Sequence, residues 1–258
     1  MGVTPLSWTL DHVGPLTSSV ADMFNVMEVF LGEALLRHRT TDIRGLRIGV
    51  PKSYFNERLD EDVYRLYKSA LSQFEDMGAI LIDIDVPGAS EAVPLTFTLA
   101  AAEAGYVHRE RMENSMDLFG PDVKAVLQSS TSIPASSYID ALKQRQEITD
   151  GVSRLFDDVD VIIAPTLPTT PKEIGQEEVV IGGVKEDLFG CMIRYTCPFN
   201  LTGHPVLAVP CGIADDGLPV GIQIIGPHGR EERLLKAGYA YEQAALGRFY
   251  EIRDERCV

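Results

Sequence analysis

The first strong hydrophobic pattern of the chain lies near its N-terminus. Apolar residues recur at helical spacing from Val20 to Leu31, after the polar residues Thr17 and Ser18. Hydroxyl side chains commonly cap the start of a helix, and glycine commonly ends one. The pattern therefore predicts a helix that begins after Ser18 and ends at Gly32.

The next pattern combines two β-rich runs with a helical stripe between them. Residues 46–50 and 79–86 are rich in Ile, Leu and Val, and apolar residues recur at helical spacing from Val63 to Met77. A strand, a helix and a strand in this length predict a βαβ unit, whose strands are parallel and joined by a right-handed crossover. Within the second run, Asp83 and Asp85 alternate with isoleucines, so we expect them on the solvated face of the strand.

Three further patterns follow in the second half of the chain. A stripe at 138–156, interrupted by Arg145, predicts a long helix that leads into a strand at 159–163. A stripe at 234–245 predicts a final helix that stops at Gly247. Residues 166–186 are rich in Gly and Pro, and we interpret them as a long surface excursion.

A hairpin is the clearest of the later patterns. Apolar runs at 206–212 and 218–226 flank the turn Asp215-Asp216-Gly217, and residues 198–205 before them are interpreted as a loop. Together with the βαβ unit, the hairpin predicts an α/β protein with a mixed β-sheet flanked by helices.

Composition narrows the classes of function. The chain has 258 residues, 45% of them apolar, and a formal charge of −15 with a pI near 4.7. Nucleic-acid binding draws on Lys and Arg, so this charge argues against a nucleic-acid partner. No apolar stretch is long enough to cross a membrane and no signal peptide is recognisable, so we expect a cytoplasmic protein. The four cysteines show no C-x-x-C spacing, which fits reduced thiols.

Catalytic chemistry is hard to assemble from the chain itself. There is no G-x-S-x-G elbow, and the five histidines lack metal-ligand spacing, so no metal or cofactor is expected. His204 is interpreted as a turn residue with its ring on the rim. The serine pairs 18–19, 129–130 and 136–137 are interpreted as helix caps rather than nucleophiles.

Three motifs in one order resemble a known family. Residues 9–15 have the form S/T-x-D-x-x-G-P and are followed by Val20-Ala21-Asp22, residues 160–168 have the form of a strand with a loop after it, and residues 198–226 contain an N-L-x-G-x-P loop and the hairpin. All three resemble the amidase signature family, and the resemblance covers essentially the whole chain.

The resemblance implies an amide-hydrolysing acyl-enzyme mechanism with a serine nucleophile, a second serine in a cis peptide and a lysine base. In the family these residues precede the S/T-x-D-x-x-G-P segment, which here begins at Thr9, and the chain has no Gly/Ser-rich run. We therefore assign no catalytic residue within the chain. Residues 1–258 are interpreted as the C-terminal portion of a single amidase signature domain, and the isolated chain is expected to be inactive.

Three residues are singled out around the implied site. Thr166 follows a predicted strand, where α/β sheets place ligand-facing loops, so we expect it to line the substrate pocket. Asn200 either lines the pocket as well or fixes the turn before Pro205, and the turn is favoured. Asp11 either supports the site by accepting backbone N–H bonds of the catalytic loop, as the resemblance implies, or is a plain turn residue before the helix, and both interpretations stay open.

The implied substrate is a small linear carboxamide. Glutaminase subunits of transfer-RNA amidotransferases belong to the family and carry charged groups for the amino-acid end of glutamine. Here Ala125-Val126 follow the segment 119–124, and Ile193 stands where an Asp is expected, so a neutral amide fits better. Two alternatives remain open. The chain is a non-catalytic binding or dimerisation module that covers its exposed sheet edge with a partner or a second copy, or it is an unrelated hydrolase that pairs one of the serines with a histidine.

Overall fold

The computed structural model describes residues 2–32 and 34–256. The helices are α1 (Val20–Leu31), α2 (Glu61–Asp76), α3 (Ala92–Val107), α4 (Arg109–Ser115), α5 (Pro121–Ser130), α6 (Ala135–Leu155), α7 (Leu188–Ile193), α8 (Cys197–Thr202), α9 (Glu231–Ala245) and α10 (Gly247–Arg256). The strands are β1 (Arg47–Pro51), β2 (Ile80–Ile84), β3 (Val161–Pro165), β4 (Glu178–Ile181), β5 (Val184–Asp187), β6 (Val206–Ile213) and β7 (Pro219–Ile225).

Five strands form one mixed sheet in the order β2-β1-β3-β7-β6. Strand β1 pairs in parallel with both β2 and β3, whereas β7 pairs antiparallel with β3 and with β6. Strands β4 and β5 form a separate hairpin. Within the described ranges, β2 and β6 are therefore the two edges of the main sheet.

A helix layer covers each face of this sheet, as the alternation of side chains along β3 requires. Val161 and Ile163 pack into the cluster that contains the buried faces of α1, α2 and α9, which we call the first layer. Ile162 and Ala164 pack into the cluster that contains those of α3, α6 and α8, which we call the second layer. Two filled cores on opposite faces make this an α/β sandwich of three layers.

Most of the long patterns are confirmed. Helix α2 connects the parallel strands β1 and β2, helix α6 leads into β3, and β6 and β7 form the expected antiparallel hairpin. Helix α1 ends at Gly32 as expected, although its N-cap is Ser19, whose hydroxyl accepts from the backbone N–H of Asp22.

Several local predictions are wrong. Most of the supposed loop at 198–205 is helix α8, and Gly247 begins α10 instead of ending the last helix. The excursion at 166–186 is largely exposed from residue 171 onward, as expected for a surface segment, but it also contains the β4–β5 hairpin, which packs Val179 and Ile181 against α7.

Of the predictions for polar residues on these elements, one is confirmed and one is wrong. Asp83 and Asp85 are exposed, as expected for a solvated strand face. Ser129 and Ser130 are not N-caps, because they lie at the end of α5 and donate to the carbonyls of Val126 and Leu127.

Candidate functional site

A cleft of about 940 Å³ runs beside strand β6 in the described part of the chain. The segment of residues 12–19 and helix α1 form one wall, and the start of α8 with Thr166 forms the polar end. Residues 205–210 of β6 form the floor between them. Side chains from both faces of β6 line the cleft, so the cleft wraps around the edge of the strand.

The backbone groups on this edge of β6 follow from the register with β7. Gly226 donates its N–H to the carbonyl of Pro205, which makes 205 and its alternates 207 and 209 the hydrogen-bonded positions of the β6–β7 ladder. Val206 and Ala208 occupy the alternate positions, so their N–H and C=O groups point away from β7 and into the cleft. Both residues are exposed.

Four uncharged polar side chains gather at one end of the cleft: Thr166, Thr196, Asn200 and Gln223. Gln223 is buried and donates to the carbonyls of Pro165 and Tyr195, at 2.9 and 2.8 Å, which fixes its orientation. The Thr166 hydroxyl is buried and has no hydrogen-bond partner among the described residues. A buried hydroxyl without a partner is costly, and a ligand carbonyl or amide at this position would satisfy it.

Asn200 holds the N-terminal wall of the cleft. Its Nδ2 donates to the carbonyl of Leu10 at 3.0 Å, and the Nδ1 of His12 donates to the same carbonyl at 2.7 Å. The Nδ2 of Asn200 also lies 3.2 Å from the Nδ1 of His12, so these three groups contact one another. The expectation that Asn200 fixes its own turn is wrong, because the residue lies within α8 and bonds a segment 190 residues away.

The buried carboxylate of Glu103 anchors the same wall, and sequence reasoning missed it. It accepts from the hydroxyls of Ser7 and Tyr138 and from both the N–H and the hydroxyl of Thr9. Burial alone would raise the pKa of Glu103, but these hydrogen bonds outweigh it and lower the pKa. Glu103 is the only acid in the apolar run from Leu99 to Gly105, and that isolation was the available signal.

Arg145 and Asp11 complete the anchoring. Arg145 donates to the carbonyls of Leu201 and Thr9, which explains why an arginine interrupts the apolar stripe of α6. Asp11 accepts from the backbone N–H groups of Leu6 and Ser7. Asp11 thus accepts backbone N–H bonds, although the donors here belong to its own turn, and its supporting role stays a prediction.

A stacked histidine pair lies beneath the start of β6. The rings of His204 and His228 are 3.9 Å apart, and His204 contacts the hydroxyl of Thr202 through Nδ1 at 2.8 Å. The expectation of a ring on the rim is wrong, since His204 is only 5% exposed. Burial, with a smaller effect from the charge of His228, lowers the pKa of His204 to about 4.

The reactive groups of the described residues do not form a catalytic set in this cleft. No lysine lines it, and of its two serines, Ser19 is occupied as the cap of α1. Ser153 Oγ lies 3.3 Å from His204 Nε2, but Thr202 rather than a carboxylate contacts the other ring nitrogen, and Ser153 does not line the cleft.

Thiols and metal-binding groups add nothing to this set. Burial raises the pKa of Cys191 to about 11 and that of Cys211 to about 12, so both remain thiols at neutral pH. Cys257 lies outside the described residues. Over 2–32 and 34–256 there is no group of three His, Cys, Asp or Glu side chains that could hold a metal ion. Across these same ranges, no helix has the length and apolar character of a membrane span.

Sequence comparisons place the chain among amidases. The model of the amidase family matches residues 1–235. An amidase of Pseudomonas putida is 35% identical over 257 residues, covering 94% of this chain and 55% of that protein. A glutamyl-tRNA(Gln) amidotransferase subunit of Lachnospira eligens is 31% identical, covering 96% of this chain and 58% of that protein. The chain thus spans about half the length of the curated relatives it matches.

Solved structures agree with the sequence comparisons. A crystal structure of an amidase superposes with a TM-score of 0.85 at 26% identity, covering 93% of this chain and 54% of the other. A chain from a vestigial protein complex, described as revealing the evolutionary origins of an s-triazine catabolic enzyme, superposes with a TM-score of 0.87 at 26% identity, covering 95% of this chain and 56% of the other. The family model and the fold agree with the three sequence motifs, and the chain belongs to the amidase signature family.

Proposed function

We propose that this chain supplies the substrate-side wall of an amidase that hydrolyses a small, linear, uncharged carboxamide. The observation that carries the proposal is the polar end of the cleft, where the partnerless Thr166 hydroxyl lies among the amides and hydroxyl of Asn200, Gln223 and Thr196. A carboxamide offers one carbonyl acceptor and an NH₂ donor, which match such a set of groups.

The absence of charge at this end favours a neutral amide over glutamine. The carboxylate and ammonium of glutamine need charged partners to offset their desolvation. Ile193, where an Asp was expected for glutamine binding, is part of the apolar second layer. Thr166 and Asn200 remain our candidates for contact with the substrate, and Asp11 for support of the wall that Asn200 holds.

The nucleophile and base are proposed to come from polypeptide outside these 258 residues. The cleft contains neither a lysine nor a serine paired with one within the described ranges. We therefore expect no hydrolysis by the chain alone. The three buried free thiols, those of Cys191, Cys197 and Cys211, suit a reducing compartment, so the cytoplasm remains the proposed location.

The second candidate function is a non-catalytic binding or dimerisation module. The uncovered edge of β6 favours it, since an unpaired strand edge is a ready surface for another chain. The two candidates differ in whether the polar end of the cleft binds an amide.

Benzamide titration with the ¹⁵N-labelled chain, alongside a hydrolysis assay, tests the proposal. We expect no ammonia release, and benzamide-induced shifts at the amides of Asn200 and Gln223 that glutamine does not cause. Thr166→Val should weaken benzamide binding, whereas Thr131→Val, at an exposed site far from the cleft, should not. Ammonia release by the chain alone, or a response confined to residues outside the cleft, would contradict the proposal.

A further inference from the structure

The side chain of Gln223 occupies space that its neighbours in the sheet leave open. In the ladder it lies opposite Ala164 of β3 and Ala208 of β6, whose side chains are single methyl groups. It shares a face of β7 with Ile225, which packs in the second layer, because alternate residues of a strand point to the same face. Gln223 is only 1% exposed, and a buried amide is costly unless its polar atoms are paired.

Two backbone carbonyls fix the direction in which this amide points. The Nε2 of Gln223 lies 2.9 Å from the carbonyl oxygen of Pro165 and 2.8 Å from that of Tyr195. A carbonyl oxygen can only accept, so both hydrogens of the NH₂ group are used by these bonds. Within the described ranges no hydrogen bond uses Oε1, and since Gln223 lines the cleft, Oε1 is the acceptor that it presents there.

The other groups at the polar end of the cleft also present acceptors. The hydroxyl of Thr196 donates to the carbonyl three residues earlier at 3.2 Å, and the Nδ2 of Asn200 contacts the carbonyl of Leu10 and the ring of His12. These bonds leave the lone pairs of the Thr196 hydroxyl and the Oδ1 of Asn200. Among the described residues of the polar end, Thr166 alone has a hydroxyl donor without a partner. The polar end therefore combines one available donor with several acceptors.

The Thr166 hydroxyl lies over the same face of β7 as Gln223. The backbone N–H of Thr166 donates to the carbonyl of Gly221 at 3.0 Å, and a Cβ added at Gly221 would lie 3.4 Å from the Thr166 Oγ1. Gly221 and Gln223 are alternate residues of one strand, so their Cα atoms are about 7 Å apart and their side chains share a face. With hydrogen bonds of about 2.9 Å at each end, one small planar group can contact both side chains.

We infer that Gln223 determines specificity for the amide nitrogen: its Oε1 accepts an N–H of the substrate, while the Thr166 hydroxyl donates to the substrate carbonyl. This inference rests on the proposed function and names the group that distinguishes an amide from related carbonyl compounds. A carboxamide has one carbonyl acceptor and two N–H donors, which complements one donor among several acceptors. An ester or a ketone lacks the N–H, so its binding leaves Oε1 of Gln223 desolvated and unpaired.

The same arrangement disfavours the carboxylate that amide hydrolysis produces. A carboxylate only accepts hydrogen bonds, so it faces the oxygens of Gln223 and Asn200 without an N–H to offer them. None of the four side chains at the polar end carries a positive charge that could offset the desolvation of the anion. We therefore expect the acid to bind more weakly than the amide, which favours release of the product.

Three matched compounds test the inference on the full 258-residue chain, labelled with ¹³C and ¹⁵N and followed by NMR. Acetophenone replaces the NH₂ group of benzamide by a methyl group, and benzoate replaces it by a charged oxygen. We expect acetophenone to bind at least about fivefold more weakly than benzamide, and benzoate more weakly still. Benzamide should move the ¹³Cδ signal of Gln223, and acetophenone should not, because its methyl group donates no hydrogen bond.

Variants separate the two contacts. Thr166→Val should weaken benzamide and acetophenone by the same factor, because both compounds have a carbonyl. Gln223→Met removes Oε1 and should abolish the preference for benzamide, whereas Gln128→Met, at an exposed position of α5, should retain it. Gln223→Met also removes two bonds to backbone carbonyls, so circular dichroism checks its fold, and the comparison of compounds on the unaltered chain does not depend on it.

Equal binding of benzamide and acetophenone, with both weakened by Thr166→Val, would overturn the role of Gln223 and leave the proposed function in place. A preference for benzamide that persists in a folded Gln223→Met variant would overturn it as well, because the N–H would then be recognised by another group. Binding of neither compound in the cleft would contradict the proposed function together with the inference.

Discussion

The two edges of the main sheet are built differently. Strand β2 carries Asp83, whose side chain is 69% exposed and lies 3.6 Å from Lys52, and Asp85 follows directly after the strand. Strand β6 carries no charged residue, exposes Val206 and Ala208, and borders a cleft of about 940 Å³. Charged edges resist pairing with other chains, whereas uncharged ones invite it.

This difference shows that the β2 edge is protected against pairing with another strand and the β6 edge is not. The β2 edge resembles the outer boundary of a stable domain. The β6 edge is continuous with the polar end of the cleft, through the pairing of Ala208 with Gln223. The uncharged edge and the polar end of the cleft are thus the same region, and the experiments below change one edge at a time.

The largest loss of unfolding free energy is expected at the positions of β6 that pair with β7. Leu207→Pro removes a bond of the β6–β7 ladder and the buried leucine side chain, which together should cost about 4 kcal/mol of unfolding free energy. Ala208→Pro should cost less than about 1 kcal/mol, because proline is tolerated on a free edge. Urea denaturation measures both, and equal losses would show that the outward assignment of Ala208 is incorrect.

Substitution of Glu103, which anchors the N-terminal wall of the cleft, should lower the unfolding free energy by nearly as much. Glu103→Ala leaves the hydroxyls of Ser7, Thr9 and Tyr138 without their acceptor, and we expect a loss of about 3 kcal/mol with exposure of the N-terminal segment to proteolysis. Glu113→Ala, at an exposed position, is the matched control and should change the unfolding free energy by less than about 0.5 kcal/mol. A response to Glu103→Ala as small as that of the control would contradict the anchoring role.

The histidine beneath β6 should make stability depend on pH. The folded-state pKa of His204, about 4, lies below the value of 6.5 in the unfolded chain, so only the unfolded chain takes up this proton between these values. Stability from this residue is therefore complete above pH 6.5 and falls by about 3 kcal/mol as the pH decreases to 4. The loss over this window should be smaller in His204→Gln, and equal losses in urea titrations would count against a buried neutral ring.

The smallest effect on folding is expected at the β2 edge, although the solution behaviour should change. Asp83→Ile removes an exposed charge and makes the residues from Ile80 to Ile84 continuously apolar. We expect this variant to self-associate at a lower concentration than the unaltered chain, while its unfolding free energy stays within about 0.5 kcal/mol of that of the unaltered chain. Asp140→Ile makes the same exchange on the exposed face of helix α6. Sedimentation that does not distinguish the two variants would show that charge is not what protects the β2 edge.

Long patterns made the architecture predictable. The stripe from Val63 to Met77 and the β-rich runs beside it are sufficient for a parallel βαβ unit, because burial on one face imposes the helical period. The hairpin was predictable for a similar reason, since a glycine turn joins two apolar strands. The three motifs also led correctly to the amidase signature family.

The rest could not be predicted, because it depends on contacts between distant segments. Helix α8 is short and carries a proline at its start, so its sequence resembles a loop until the second layer packs against it. Asn200 bonds Leu10, and Glu103 bonds Thr9, across separations that local patterns do not encode. The sequence predicts His204 on the rim of its turn. Its burial could not be predicted, because it depends on stacking with His228 and Phe156 from other segments.

The decisive experiment asks which polypeptide a fluorophosphonate probe labels in a complex of this chain with the unmatched part of the Pseudomonas putida amidase. We expect benzamide hydrolysis by the complex, a labelled serine on the partner, and neither label nor hydrolysis with the chain alone. A labelled serine on this chain, accompanied by hydrolysis in the absence of the partner, would contradict the claim that the chain supplies only the substrate-side wall.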